Sequence, residues 1–145
     1  MRISTKGRYA LRMLVDLAEH TGDGYVTLKE IAARQNISKQ YLEQIVSLLN
    51  GADILRASRG KSGGYKLAKQ PSEYSIGQII RITEGSLTPA PCLDDAINKC
   101  DRYSSCRTVH MWSGLYNVIT EYLDGITLQD LLDQYATNVI DDYII

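Results

Sequence analysis

The chain has 145 residues, 44% of them hydrophobic, enough for one real core and an appendage. It has no apolar run of about 18 residues and no signal-peptide core in its opening Met-Arg-Ile-Ser-Thr-Lys-Gly-Arg, which excludes a membrane span and makes a cytoplasmic protein the expectation. Its net charge of −1 is uneven: residues 1–70 hold twelve Lys/Arg against six Asp/Glu, a net +6, and residues 71–145 hold four against eleven, a net −7, so only the first half suits a polyanion unless the charges simply cluster on solvated faces.

The apolar stripe Tyr9, Ala10, Met13, Leu14, Leu17, Ala18 predicts a helix over 6–20, with Ser4 or Thr5 as its cap. Gly22 and Gly24 break it. Thr27-Leu-Lys-Glu30 is a capping box for a short helix over about 28–34. Asn36-Ile37 makes a turn, and Ser38 caps a third helix that runs to Asn50 with Leu42, Ile45, Val46 and Leu49 inward; Gly51 supplies the left-handed stop. Two short helices joined by a tight turn read as a helix-turn-helix. Ile54–Ser58 then reads as a strand, the stretch from Arg59 to Gly64 as a basic, glycine-rich hairpin loop, and Tyr65–Leu67 as the returning strand, which together make a wing.

Pro71 ends this unit. Ser75-Ile-Gly-Gln78 is a second capping box, opening a helix with Ile76, Ile79, Ile80 and Thr83 on one side and Gly85 at its end. Residues 86–106 hold Pro89, Pro91 and all three cysteines without periodicity, and read as a loop. Residues 107–123 form a long amphipathic helix with the stripe Trp112, Leu115, Tyr116, Ile119, Tyr122, Leu123, and a short last helix from Thr127 ends near Tyr135. The expected fold is mainly α with a small β-hairpin wing. A winged helix-turn-helix DNA-binding domain occupies 1–70, a linking helix and cysteine loop 71–106, and a dimerisation helix with its short successor 107–145. The long helix carries more apolar surface than one small domain needs, which points to a homodimer.

A recognition helix sets its N-terminal residues against base edges in the major groove. Here those are Ser38, Lys39, Gln40, Tyr41, Glu43 and Gln44. Gln pairs with adenine through two hydrogen bonds and Glu accepts from the cytosine amino group. Ser38, Lys39 and Tyr41 suit phosphates, which fix register; the plain alternative has Tyr41 in the core and Lys39 solvated. Arg59 and Lys61 lie at the wing tip, where an arginine can enter a narrow minor groove, unless the wing is an ordinary basic loop.

Three cysteines within fifteen residues and no secretion signal argue against a disulfide framework. The series is Cys92, seven residues, Cys100, five residues, Cys106, three residues, His110. Thiolates with one imidazole suit an iron–sulfur cluster. The same donors suit tetrahedral zinc or act as thiol sensors, and His110 also fits as a plain helix residue. Cys106 and His110, four apart at the start of the long helix, are expected to share a face.

Ile3-Ser-Thr-Lys-Gly-Arg-Tyr9, Ser38-Lys-Gln-Tyr-Leu-Glu-Gln44 and Arg59-Gly-Lys-Ser-Gly-Gly-Tyr65 resemble the first helix, recognition helix and wing of the Rrf-type winged-helix transcription regulators, the family of IscR, NsrR and CymR. The resemblance implies a homodimer on a partly palindromic duplex operator, acting as a repressor or an activator. It implies that Glu43 and Gln44 read bases and that Arg59 sits in the minor groove. For IscR-like members it implies a [2Fe–2S] cluster on Cys92, Cys100, Cys106 and a fourth ligand, here His110; zinc, or no metal with a thiol switch or a cluster-independent role in cysteine and sulfur metabolism, stays open. The first gap is longer than in the IscR pattern and the histidine stands one position later. Arg8 and Arg12 stand where NsrR-like members supply an acidic ligand from the partner's first helix, and arginine cannot ligate; Asp95 or Asp101 could replace His110. No Cys-x-x-Cys and no nucleotide loop occur, so an enzyme is not expected. A winged helix kept only for protein contacts is disfavoured by the basic wing.

Overall fold

Ser4 opens the first helix, its extended backbone leaving the hydroxyl to accept from the Gly7 amide, and α1 then spans Thr5–His20. The computed structural model describes all residues except 23, 95–99 and 143–145, and side chains are not described for 138–142. The chain continues as α2 (Leu28–Gln35), α3 (Lys39–Gly51), β1 (Leu55–Ser58), β2 (Gly64–Leu67), α4 (Ile76–Glu84), α5 (Val109–Gly125) and α6 (Leu128–Asp142). Short 3₁₀ turns cover Pro71–Glu73, Pro91–Leu93 and Tyr103–Ser105.

The capping box before α2 is reciprocal: the Glu30 amide donates to Thr27, and Thr27 donates to the Glu30 carboxylate. Ser38 accepts from the Tyr41 amide to cap α3, and Ser75 accepts from the Gln78 amide to cap α4. Asn36, at φ 53°, makes the left-handed stop of α2. The stop of α3 falls later than expected: Gly51 is still helical, and the left-handed residue is Asp53, at φ 56°. That shift lets the Ile54 amide return to the Leu49 carbonyl and aims the chain into β1.

The hairpin is antiparallel in the register Leu55–Leu67, Arg56–Lys66, Ala57–Tyr65, Ser58–Gly64. Val26 adds a bridge to Tyr65, bonded both ways at 2.9 and 2.7 Å, which ties the wing's returning strand to the segment ahead of α2. One core joins Met13, Leu14 and Leu17 of α1, Ile31 of α2, Leu42, Ile45 and Leu49 of α3, Ile54, Ile79 of α4 and Leu128 of α6, all fully enclosed. Buried Tyr74 accepts from the Lys69 amide (2.7 Å) and donates to the Ile54 carbonyl (3.1 Å), closing the chain beneath the wing.

The C-terminal part is stitched to this core. The Ile76 amide donates to the Ile126 carbonyl (2.8 Å), the Leu128 amide to the Tyr74 carbonyl (2.9 Å), and Arg81 pairs with Asp124 through both guanidinium nitrogens. Two expectations change here. The last helix runs to Asp142 rather than ending near Tyr135, because nothing after Tyr135 breaks it. The long helix starts at Val109, not 107, because Cys106 is extended and Thr108 makes no side-chain cap. No helix among the described residues is long and apolar enough to cross a membrane.

Candidate DNA-reading surface and cysteine loop

The inward stripe of α3 leaves its other side to solvent. Leu42, Ile45, Val46 and Leu49 are buried, whereas Ser38, Lys39, Gln40, Glu43 and Gln44 are exposed. Ser38 has its oxygen engaged by the Tyr41 amide, but its hydroxyl proton remains able to donate. Lys39 and Glu43 form an i,i+4 pair at 3.6 Å, with both side chains more than half exposed. Tyr41 is half-buried against the core, and its ring meets Tyr9 of α1 edge-on at 5.5 Å and 74°. The packing alternative for Tyr41 is therefore realised in part.

At the wing tip Arg59 and Lys61 are exposed, and among the described residues neither forms an ion pair. The tip turns through Gly60 at φ 99°, closed by the Gly63 amide on the Gly60 carbonyl. Exposed donors and acceptors on a helix, followed by an exposed cationic hairpin, can contact both base edges and phosphates.

Sequence reasoning missed two carboxylates that tie α1 to its neighbours. Asp16, only 1% exposed, sits on α1 and receives Arg34 and Gln35 from the end of α2. Burial alone raises its pKa, but the hydrogen bonds from Arg34 and Gln35 and the nearby charges of Arg34 and His20 outweigh that and hold it below the usual value. Its signal in the sequence was an acid on the same helical face as Met13 and Leu17. Glu84, at the end of α4, accepts from the Ser4 amide and hydroxyl and from the Gly7 amide, so a carboxylate from another helix sits on the N-terminus of α1. Nothing local marks that partner, eighty positions away.

In the cysteine loop, Cys92 lies half-buried in the turn Pro91–Leu93, Cys100 is exposed, Cys106 is half-buried just past Tyr103–Ser105, and His110 is exposed in the first turn of α5. Asp95 lies outside the described residues, and Asp101 is exposed. Since Cys106 precedes the helix in extended conformation, it and His110 do not share a helical face, which corrects the expectation from their spacing. The donor set, three thiols and an imidazole, matches an iron–sulfur site in kind. It is not gathered: among the described residues no three His, Cys, Asp or Glu side chains are grouped to hold a metal ion. Cys106 Sγ lies 3.2 Å from Thr108 Oγ1, and hydrogen bonds from the Thr108 hydroxyl and amide hold its thiol below the ordinary pKa.

The outward side of α5 bears a second apolar line. Met111, Leu115, Val118 and Tyr122 are exposed, the last two at 63% and 67%, with spacings of four, three and four. Tyr116 and Leu123 of the expected stripe instead pack on the chain's own core. α5 therefore has two apolar faces, and the exposed one keeps Leu115 and Tyr122 of the stripe read from sequence and adds Met111 and Val118.

Three comparisons bear on this arrangement. A family model described as "Rrf2: Iron-dependent Transcriptional regulator" matches residues 3–134. The HTH-type transcriptional regulator CymR of Bacillus subtilis is 39% identical over 131 residues, covering 90% of this chain and 89% of that protein. Among solved structures, that of CymR, the global cysteine regulator of B. subtilis, superposes with a TM-score of 0.76 at 37% identity over 92% of this chain and 98% of that one. The structure of T. potens IscR does so with a TM-score of 0.75 at 40% identity over 93% and 88%.

Proposed function

The chain belongs to the Rrf2 family and is a DNA-binding transcription regulator rather than an enzyme, and from that premise we propose that it acts as a homodimer whose hold on its operator is set by the state of its cysteine loop. The observation that carries the DNA half is the exposed row Gln40, Glu43, Gln44 on α3 together with the exposed Arg59 and Lys61 of the wing. Glu43 and Gln44 read base edges, Ser38, Lys39 and Tyr41 set register on phosphates, and Arg59 enters the minor groove with Lys61 beside it. The line Met111, Leu115, Val118, Tyr122 is the subunit contact, with coiled-coil-like spacing.

For the loop, the first reading is a [2Fe–2S] cluster on Cys92, Cys100, Cys106 and His110. It is supported by the donor set and by the description of the matching family as iron-dependent. When bound, such a cluster supplies one-electron redox chemistry and lability toward oxidants. The chain's own part would be to bring Cys92, Cys100, Cys106 and His110 together. Cys106 and His110 flank the start of α5, so that gathering bears on the helix that carries the subunit contact. A second reading, a thiol switch, is favoured by one observation: the Cys106 thiol is held acidic by Thr108, and thiolates are the reactive form.

Anaerobic purification followed by a visible spectrum with iron and sulfide assays separates these. A coloured protein with matching iron and sulfide is the expected result. A colourless protein loaded with zinc replaces the cluster with a redox-inert site. A colourless, metal-free protein whose DNA binding responds to thiol oxidants leaves the thiol switch.

A further inference from the structure

We propose that Arg12, Asp16 and Gln35 are positioning residues that fix the base-reading end of α3, so that they govern sequence discrimination without touching a base. This rests on the reading of α3 as the recognition helix. A carboxylate nearly sealed from water is costly unless its lone pairs are filled. Among the described residues, the hydrogen bonds to those of Asp16 come from the last turn of α2: Arg34 Nε at 3.0 and 3.2 Å and its terminal nitrogen at 2.7 Å, and Gln35 Nε2 at 2.9 Å. The side chain thus binds one point of α1 to two consecutive residues of α2, while within its own helix it meets only His20, at 3.7 Å among the described residues.

Arg12 lies one turn earlier on α1 and takes the other end of Gln35. Its Nε donates to Gln35 Oε1 at 3.2 Å, and its terminal nitrogen donates to the Gln35 backbone carbonyl. That carbonyl is one of the acceptors a helix end leaves without an internal partner. Gln35 is therefore clamped at its amide nitrogen by Asp16, at its amide oxygen by Arg12, and at its main chain by Arg12 again. Asn36 follows in the left-handed conformation, the Ile37 amide closes on the Ala32 carbonyl, and Ser38 caps α3. Only three positions, one of them with constrained φ, separate the clamp from the recognition helix.

Arg12 also reaches α3 by a second route. Its guanidinium lies over the Tyr9 ring, 5.1 Å from the centroid, and Tyr9 meets Tyr41 in the first turn of α3. A helix held at its entrance and again at its first turn has little freedom to rotate about its axis. Hydrogen bonds to base edges tolerate only about 0.5 Å in donor–acceptor distance. Contacts of long cationic side chains with phosphates are far more forgiving, so loosening the clamp costs discrimination before it costs general affinity for DNA.

Arg12→Lys tests this, because it keeps the positive charge and an exposed aliphatic stem but removes the planar fork. Gln35→Ala is the second variant. A duplex selected by the wild type from a random library and a scrambled duplex are titrated at several salt concentrations, with thermal unfolding and oligomeric state measured on the same samples. The expected result is a loss of about tenfold or more on the selected duplex, with scrambled-duplex affinity and salt slope within about twofold of wild type. The double variant should lose less than the two single losses combined, since the two substitutions share the contact between Arg12 and the Gln35 side chain. Equal losses on both duplexes, or no loss on either, overturn the proposal. A wild type that selects no sequence removes the underlying reading of α3 and this inference with it.

Discussion

At the level of single residues, the signature Ser4-Thr5-Lys6-Gly7 has a physical cause. A Cβ on Gly7 would sit 2.5 Å from Glu84 Oε1, the oxygen that also takes the Ser4 amide and hydroxyl. Gly7→Ala pushes that carboxylate off the helix end, and we expect a loss of about 1–2 kcal/mol in urea unfolding, the scale of a lost helix cap. The loss should shrink in a Glu84→Ala background, where nothing remains to be displaced. In the wing, Gly64 at φ 147° passes so close to Val26 that a Cβ would lie 2.4 Å from its carbonyl oxygen, which keeps that strand against the chain ahead of α2. Asp16 carries a pH signature. Its carboxyl is held below the usual value, so its contribution to stability is complete above about pH 4 and is lost as pH falls through the folded-state pKa. The destabilisation caused by Asp16→Asn should therefore be largest near neutrality and shrink below pH 4 in denaturant titrations; a penalty independent of pH would mean that the carboxylate charge is not what Arg34 and Gln35 hold. Local pairs such as Thr27 with Glu30 were legible from sequence because both partners lie in one turn. Glu84 on Ser4 and Asp16 on Gln35 were not, because periodicity says which side faces inward but not which distant side chain arrives there.

At the level of elements, α1 to α4 and the wing follow from caps, breakers and apolar spacing, which act within a few residues. The misplaced boundaries have the same explanation from the other side. Gly51 looked like the stop of α3, yet the chain turns at Asp53 because Ile54 must return under Leu49 to enter the core. α5 starts after Thr108 because no cap in 106–108 starts it earlier, and this separates Cys106 from the face of His110. The two reading elements should respond differently to substitution. The pair between Glu43 and Lys39 is exposed and worth about 0.5 kcal/mol or less, so Glu43→Ala leaves folding unchanged. Its effect should appear as altered base preference in selection from a randomised site, since a carboxylate discriminates cytosine and is repelled by phosphate. Arg59→Ala should weaken binding to the selected site and lower the salt slope by about 1, as removal of one cation from the groove requires. Unchanged selection by the Glu43 variant would move base reading to Gln40 and Gln44.

For the whole molecule, the fold class was legible in the sequence, and so was the excess of apolar residues on α5 that leaves Met111, Leu115, Val118 and Tyr122 exposed. Which residues face outward was legible only for Leu115 and Tyr122, since both faces of the helix are apolar and packing against the chain's own core decides between them. Val118→Glu, placed in the exposed line and away from Tyr116 and Leu123, should give a folded monomer by light scattering at micromolar concentration, with an unchanged helical spectrum. A dimer that survives this substitution would put the subunit contact elsewhere. In the proposed dimer, two-fold symmetry would set two α3 helices about 34 Å apart, one turn of duplex. The direct test of the account is selection from a randomised duplex library, run anaerobically, with iron- and sulfide-reconstituted wild type and with the triple variant Cys92→Ala, Cys100→Ala, Cys106→Ala. The account predicts that the wild type enriches a two-fold-symmetric site with half-sites one turn apart, and that the triple variant, still folded and dimeric, binds that site with different affinity or enriches a different one. Enrichment of no sequence, or identical binding of every site by the two proteins, would contradict it.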